Sequence, residues 1–200
     1  MPSTEGLQQR PAGDAPRVLV DAVTRLERNA GIDAVGHRLA GVADAVVRSP
    51  EIADVLRGTW LAHALHPLLT DFPLGAWMSA SFLDLFGGQE ARRPAQRLIG
   101  FGLLAAMPTA ASGLAEWRET AGGARRVGVV HAGVNGTAAL LYGSSWLARR
   151  RGWHPVAVGL GVTGGLVATA GGYLGGHMSL VRKIGTADPS FGPDRIMPEH

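Results

Sequence analysis

The sequence predicts an all-α fold, a bundle of four transmembrane helices preceded by a short amphipathic helical arm. Hydrophobic residues make up 46% of the chain and charged residues only 18%, and nearly all the charge lies outside four apolar stretches. Each stretch is close to the ~20 residues that a helix needs to cross the hydrocarbon core of a bilayer. Turns rich in arginine and glycine separate the stretches, as is typical of a helical membrane protein.

The predicted arm precedes the membrane domain. Residues 1–15 are rich in Gly, Pro, Gln and Ser, so we expect them to be disordered. Over residues 16–57, apolar side chains recur at helical spacing with charged residues on the opposite side, which predicts two or three short amphipathic helices. Because apolar faces need a partner, we expect the arm to lie along the cytoplasmic membrane face or to pair with another copy.

The transmembrane domain is predicted over residues 58–181, with an irregular tail over 182–200. Its helices are expected at about residues 66–86, 98–117, 127–148 and 156–177. The last of these contains glycine pairs with small-xxx-small spacing, which let two helix backbones approach closely.

Two prolines shape the first predicted span. Pro67 suits its first turn, whereas Pro73 removes the hydrogen bond to the carbonyl of Leu69 and predicts a kink. Inside a membrane that carbonyl needs another partner, so we expect Thr70, Asp71 and the kink to face protein and not lipid. An acid one turn inside a membrane helix is a candidate functional residue, although a role in packing explains Asp71 equally well.

Four motifs in this domain resemble a known bacterial family. Residues 58–67 read GTWLAHALHP, residues 70–77 read TDFPLGAW, residues 126–132 read RVGVVHA, and residues 171–177 read GGYLGGH. Together they resemble the four-helix membrane-protein family called domain of unknown function 2231, over residues 58–184. The resemblance implies a membrane fold and no established activity.

A Rieske-type partner is a further implication of the resemblance. Several actinobacterial relatives carry a Rieske iron–sulfur domain directly after the fourth helix, where this chain has only a short tail. The chain contains no Cys, so it cannot hold an iron–sulfur cluster through its own thiolates. The resemblance is therefore compatible with a separate Rieske-type partner and argues against an electron-transfer domain within this chain.

Composition and motifs also exclude several functions. The net charge of +3 comes from arginines that flank apolar runs, so we expect lipid headgroups and not nucleic acid as the charged partner. The sequence has no phosphate-binding loop, no nucleophile elbow and no His-Glu-x-x-His motif. We therefore assign no catalytic residue and expect no enzymatic activity of the chain alone.

One end of the predicted bundle collects most of the histidines. With four spans, the start of the first, the end of the second, the start of the third and the end of the fourth lie on the same side. Histidines on facing helices can hold haem or metal ions, with carboxylates orienting their rings. The candidate residues at this end are His63, His66, Asp71, Glu116, His131, Asn135 and His177.

We therefore predict haem b or a transition metal between His66, His131 and His177. His63 is a further candidate metal ligand, and Asp71, Glu116 and Asn135 are expected to orient the rings or contact the cofactor. Two alternatives stay open: a hydrogen-bonded cluster with a structural or proton-handling role, and unrelated surface histidines.

The leading functional hypothesis is a redox-associated membrane subunit that holds haem b or a metal, or anchors a Rieske-type partner. The alternative is a non-enzymatic scaffold or a bundle that handles protons or a small cation. Arginine and lysine are almost evenly divided between the two sides, so charge alone does not orient the protein. The arm carries no secretory signal, so we expect a multi-pass protein of the cell (inner) membrane with both termini cytoplasmic. The apolar faces of the arm are also compatible with a homo-oligomer.

Overall fold

The computed structural model describes residues 17–185, and within them the chain is helical with short connections and no strand. The all-α prediction is confirmed. The expectations for residues 1–15 and for most of 182–200 lie outside the described residues. The seven α-helices of the described part are α1 (Arg17–Arg28), α2 (Asp33–Val46), α3 (Pro50–Arg57), α4 (Leu65–Phe86), α5 (Arg92–Arg118), α6 (Gly122–Arg150) and α7 (His154–Gly176).

The four long helices pack as a closed antiparallel bundle. α4 packs along α5 and α6 packs along α7, with looser contacts between α5 and α6 and between α4 and α7. Their connections are short, so consecutive helices are antiparallel neighbours. α4 and α6 therefore lie diagonally opposite each other in the bundle. A π-helical turn, His177–Val181, extends α7.

Each long helix coincides with a predicted span, but α5 and α6 begin several residues earlier than predicted. The residues added at these helix starts include Arg92, Arg93, Arg125 and Arg126. Arginine favours helix as strongly as most apolar residues do. A change from apolar to charged sequence therefore marks where a membrane would end, and not where the helix ends.

Two of the described helices are long and apolar enough to cross a membrane by length and composition alone. They are α5 and α7 together with its π-helical extension. α4 has 22 residues and α6 has 29, but neither contains a stretch apolar enough to meet the same criterion; their polar residues include Asp84 on α4 and His131 and Arg149 on α6. Composition therefore supports α5 and α7 as spans, and the assignment of α4 and α6 depends on how they pack.

Large apolar side chains lie on the outside of all four long helices. In water such a continuous surface marks a contact with membrane or with another protein. The exposed fraction of these side chains ranges from 37% for Val162 to 73% for Leu140. Others are Phe72, Met78 and Phe82 on α4, Phe101, Leu104 and Met107 on α5, Leu147 on α6 and Leu166 on α7.

α4 continues through Pro73, and the free carbonyl of Leu69 has a partner on the neighbouring helix. The hydroxyl of Thr109 on α5 lies 3.1 Å from the Leu69 oxygen and 2.8 Å from the oxygen of Ala105. Pro73 itself is buried. The expectation that this carbonyl finds another partner is confirmed, and the partner is a side chain of a neighbouring helix.

Asp71 is exposed on the outer side of α4, so the prediction that it faces protein is wrong for the chain described here. Two positions along an α-helix correspond to a rotation of about 200°. Asp71 therefore lies almost opposite Pro73, and burial of the proline against α5 turns the acid outward.

The arm packs on the end of the bundle where α5 ends and α6 begins. Val23 of α1 is buried against Val127 and Leu174, and Ala43 of α2 is buried against Trp117 and Val129. The membrane surface or a second copy was the expected partner of these apolar faces. The structure instead places them on the bundle of the same chain.

Ion pairs fasten the arm to the bundle. Asp33 accepts two hydrogen bonds of 2.8 Å from Arg126, and Glu27 accepts hydrogen bonds from Arg182. The Arg126 guanidinium holds the pKa of Asp33 below its usual range, and Arg182 does the same for the pKa of Glu27. Both carboxylates are therefore ionised at neutral pH and contribute to docking there. Arg118 makes a third pair with Asp44, at 2.7 Å.

Candidate functional site

His66 on α4 and His131 on α6 face each other across the bundle. Their ring centroids are 6.2 Å apart and the ring planes are almost perpendicular. Nδ1 of His66 lies 2.8 Å from the carbonyl oxygen of Thr109, and Nδ1 of His131 lies 2.9 Å from that of Gly171. A carbonyl can only accept, so in each neutral ring Nδ1 carries the proton and Nε2 presents a lone pair.

Two glycines allow the rings to lie directly on helix backbones. A Cβ atom at Gly113 would lie 2.8 Å from Cε1 of His66, and one at Gly175 would lie 2.9 Å from Cε1 of His131. Asn135, one turn after His131, donates from Nδ2 to the His131 carbonyl oxygen at 3.1 Å and packs against Gly171. The glycines of α7 therefore accommodate His131 and Asn135.

The remaining predicted residues lie at the same end of the bundle but outside this pair. Nε2 of His177 lies 3.0 Å from Oε1 of Glu27, so this histidine takes part in docking of the arm. His63 lines a cleft beside Glu116, and Asp71 lies on the outer surface of α4. Within residues 17–185, no group of three or more His, Asp or Glu side chains is placed to hold a metal ion. Haem or metal at His66, His131 and His177 stays a prediction.

Glu116 lies between the histidine pair and this cleft. Its carboxylate lies against the backbone N–H of His66. Its Oε1 atom is buried and accepts no hydrogen bond from any group in residues 17–185. The cleft has a volume of about 740 Å³ and is also bordered by Arg57 and Glu119.

Comparison with known proteins gives one result. A family model described as "Predicted membrane protein (DUF2231)" matches residues 62–188, which include every candidate residue from His63 to His177 and exclude the arm. The chain belongs to the DUF2231 family. The resemblance inferred from the four motifs is therefore confirmed. No curated protein and no solved structure matches the chain.

The DUF2231 region also contains a buried ion pair that the sequence analysis missed. Arg149 at the end of α6 donates to both carboxylate oxygens of Asp84 at the end of α4, and the Nη1–Oδ1 distance is 2.8 Å. Each side chain is only 3% exposed. Nε of Arg149 is buried without an acceptor among the described residues. With four spans, the end of the first and the end of the third also lie on one side of the membrane. The same rule that grouped the histidines would therefore have brought Asp84 and Arg149 together.

Three α4–α6 pairs follow one another along the axis of this DUF2231 bundle. His66 and His131 lie at one end, and Asp84 and Arg149 lie at the other. Between them the rings of Trp77 and Tyr142 are stacked, with centroids 4.3 Å apart and planes at 15°. The partners in every pair are separated by 65 positions in the sequence.

A second constant spacing relates the helices that cover these residues, so the two halves of the bundle are internally similar. Gly102 of α5 packs on Trp77, and Gly164 of α7 packs on Tyr142. Gly113 of α5 likewise packs on His66, and Gly175 of α7 packs on His131. In both cases the glycine of α7 follows that of α5 by 62 positions. The α4–α5 and α6–α7 hairpins are therefore two versions of one unit facing each other across the axis. Few identical residues link the halves, which is why sequence inspection missed the repeat.

Proposed function

We propose that all four long helices of this DUF2231 protein cross the bilayer and that the bundle handles protons along its axis. The observation that carries the proposal is the column of three buried α4–α6 pairs, with titratable residues at both ends. Ionisable residues inside a membrane bundle are rare and usually functional.

The packing of the helices supports four spans, starting from the two that composition supports. α5 and α7 run in the same direction, because α6 lies between them in sequence and packs antiparallel to both. A chain that leaves the membrane at the end of α5 and enters from the other side at α7 has to cross in between, which assigns α6 to a span. α4 packs along α5 in the same way. The apolar outer surfaces of all four helices support this assignment.

We assign both termini to the cytoplasmic side. The start of α4 and the end of α7 lie at the end of the bundle where the arm docks. Cytoplasmic surfaces carry an excess of arginine and lysine. The docked arm adds its arginines to this end, whereas at the opposite end Arg149 is neutralised by Asp84. The arginines added by α1 and α2 are Arg17, Arg25, Arg28 and Arg38.

Proton handling suits the chemistry of the column. His66 and His131 each keep a lone pair on Nε2, that of His131 facing the amide nitrogen of Asn135, and a pair of imidazoles can hold and exchange one proton. Glu116 connects this pair to the cleft at the cytoplasmic end. The Trp77–Tyr142 stack fills the middle of the axis and separates the histidines from Asp84 and Arg149. This form of the bundle is therefore closed in its centre, and transfer across it requires the stack to move.

Proton flux into liposomes tests the proposal. The full chain is reconstituted into vesicles that contain a pH-sensitive dye, and valinomycin with a potassium gradient drives proton entry. We expect flux above that of empty vesicles and a loss of about tenfold or more in His66→Gln and in His131→Gln, because the proton-binding nitrogens are removed. His37→Gln, on the exposed surface of the arm, should keep the original flux. Equal flux in all three variants, or none in the unaltered protein, contradicts proton handling.

A metal ion at the same pair is a second candidate function. A histidine that donates Nδ1–H to a carbonyl and leaves Nε2 free has the arrangement typical of metal ligands, and His66 has it. Nε2 of His131 lies 3.2 Å from the amide nitrogen of Asn135, so this amide has to turn away before the two histidines can hold a small ion of low coordination number. Haem does not fit the described arrangement, because Asn135 and the backbone at Gly113 and Gly175 enclose the two rings. The hypothesis of a redox subunit with a Rieske-type partner stays a prediction.

A further inference from the structure

We infer that the cleft beside His63 and Glu116 binds a small organic cation, an amine with an apolar body. The inference goes beyond proton handling and does not depend on it. The cleft lies where α3 ends, α4 begins and α5 ends, and its volume of about 740 Å³ falls within the ~300–1,000 Å³ of small-molecule pockets.

The walls of the cleft are mostly apolar. Such walls bind the hydrocarbon part of a ligand and exclude water from polar contacts. In the proposed four-span arrangement the cleft also lies at the level of the membrane surface, where amphipathic molecules accumulate. The apolar lining residues are Ala62, Ala64, Pro67, Leu68, Ala121, Ala124 and Ile184.

One carboxylate beside the cleft, that of Glu116, forms no ion pair with any residue in 17–185. Arg57 pairs with Asp54 at 3.3 Å and with Glu119 at 3.5 Å, so its charge is already matched. Glu116 forms no ion pair within the described part of the chain, and its buried Oε1 receives no hydrogen bond there. A buried carboxylate without a partner is destabilising. A ligand with both positive charge and an N–H group would satisfy it through a charge-assisted hydrogen bond.

A titration with a fluorescent amine tests the inference. The probe is dansylcadaverine, a primary ammonium with an aromatic body, and its N-acetylated form is the uncharged control. The full-length protein in detergent or nanodiscs is titrated at neutral pH. We expect saturable binding of the amine, at least tenfold weaker binding of the acetylated form, and a similar loss in Glu116→Gln. Glu90→Gln, which removes an exposed carboxylate at the opposite end of the bundle, should bind as tightly as the unaltered protein.

A second readout guards against a misfolded variant. Dicyclohexylcarbodiimide modifies carboxyl groups in apolar surroundings, and peptide mass spectrometry locates the adduct. We expect Glu116 to be labelled in the unaltered protein and the amine probe to reduce that labelling, with no protection by its acetylated form. Binding that Glu116→Gln leaves unchanged, equal binding of both probes, or labelling that the amine leaves unchanged would overturn the inference. The flux of protons plays no part in these readings, so the two proposals can fail separately.

Discussion

Replacing Arg149 with Met should destabilise the bundle by about 3–5 kcal/mol, the usual effect of removing one partner of a buried ion pair. The substitution leaves the carboxylate of Asp84 buried at the end of α4 without a charge partner, since each side chain of the pair is only 3% exposed. Chemical unfolding in mild detergent, followed by circular dichroism, measures the change. Arg150→Met is the matched control, because the neighbouring Arg150 is exposed and lies over the ring of Trp146.

The double variant Asp84→Leu with Arg149→Met separates lost charge pairing from lost packing. Replacing both members of a buried ion pair with apolar residues of similar size is often neutral or stabilising. We therefore expect the double variant to recover most of the stability lost in Arg149→Met. A double variant as unstable as the single one would show that the packing of the arginine side chain, and not its charge, holds α4 and α6 together.

Gly171→Ala should also destabilise the bundle, by about 1–3 kcal/mol, as overpacking of a core usually does. A Cβ atom at this position overlaps the amide of Asn135, which is held in place by the carbonyl of His131. Gly172 offers a control one residue away, because a Cβ atom there has no neighbour within 4 Å. Unfolding midpoints of the two alanine variants measure the difference. If Gly172→Ala were as destabilising as Gly171→Ala, loss of glycine in α7 and not crowding at Asn135 would be the cause.

The lengths of the apolar runs and the alternating direction of successive helices predicted much of the fold. Four long helices occur where four apolar runs lie, because a run of that length with helical spacing has few other ways to satisfy its backbone. The alternating direction of successive spans placed His66 and His131 at the same end of the bundle. Their rings meet there because α4 and α6 lie diagonally opposite each other. The chemistry of Pro73 likewise predicted that the Leu69 carbonyl needs a partner, which is Thr109.

The contacts that the sequence did not predict share a physical cause. They depend on which way a side chain turns and not on where it lies along the chain. Asp71 turns outward because Pro73, almost opposite on the helix, is buried. His177 turns to Glu27, a residue of an arm whose docking position no local pattern encodes. Asp84 and Arg149 lie at the ends of apolar runs, where a charge ordinarily indicates contact with water.

Labelling of single cysteines tests the central claim, four membrane spans with the arm inside, most directly. The chain contains no Cys, so each introduced thiol is the only one present. The positions are Gln89 and Arg151 in the two connections at one end, and Ala45 and Ala121 in the arm and in the connection at the other, all of them exposed. A membrane-impermeant maleimide should label Gln89→Cys and Arg151→Cys in intact cells, and Ala45→Cys and Ala121→Cys only after permeabilisation. Labelling of all four variants from the same side would contradict the four-span arrangement, and the reverse pattern would contradict the cytoplasmic position of the arm.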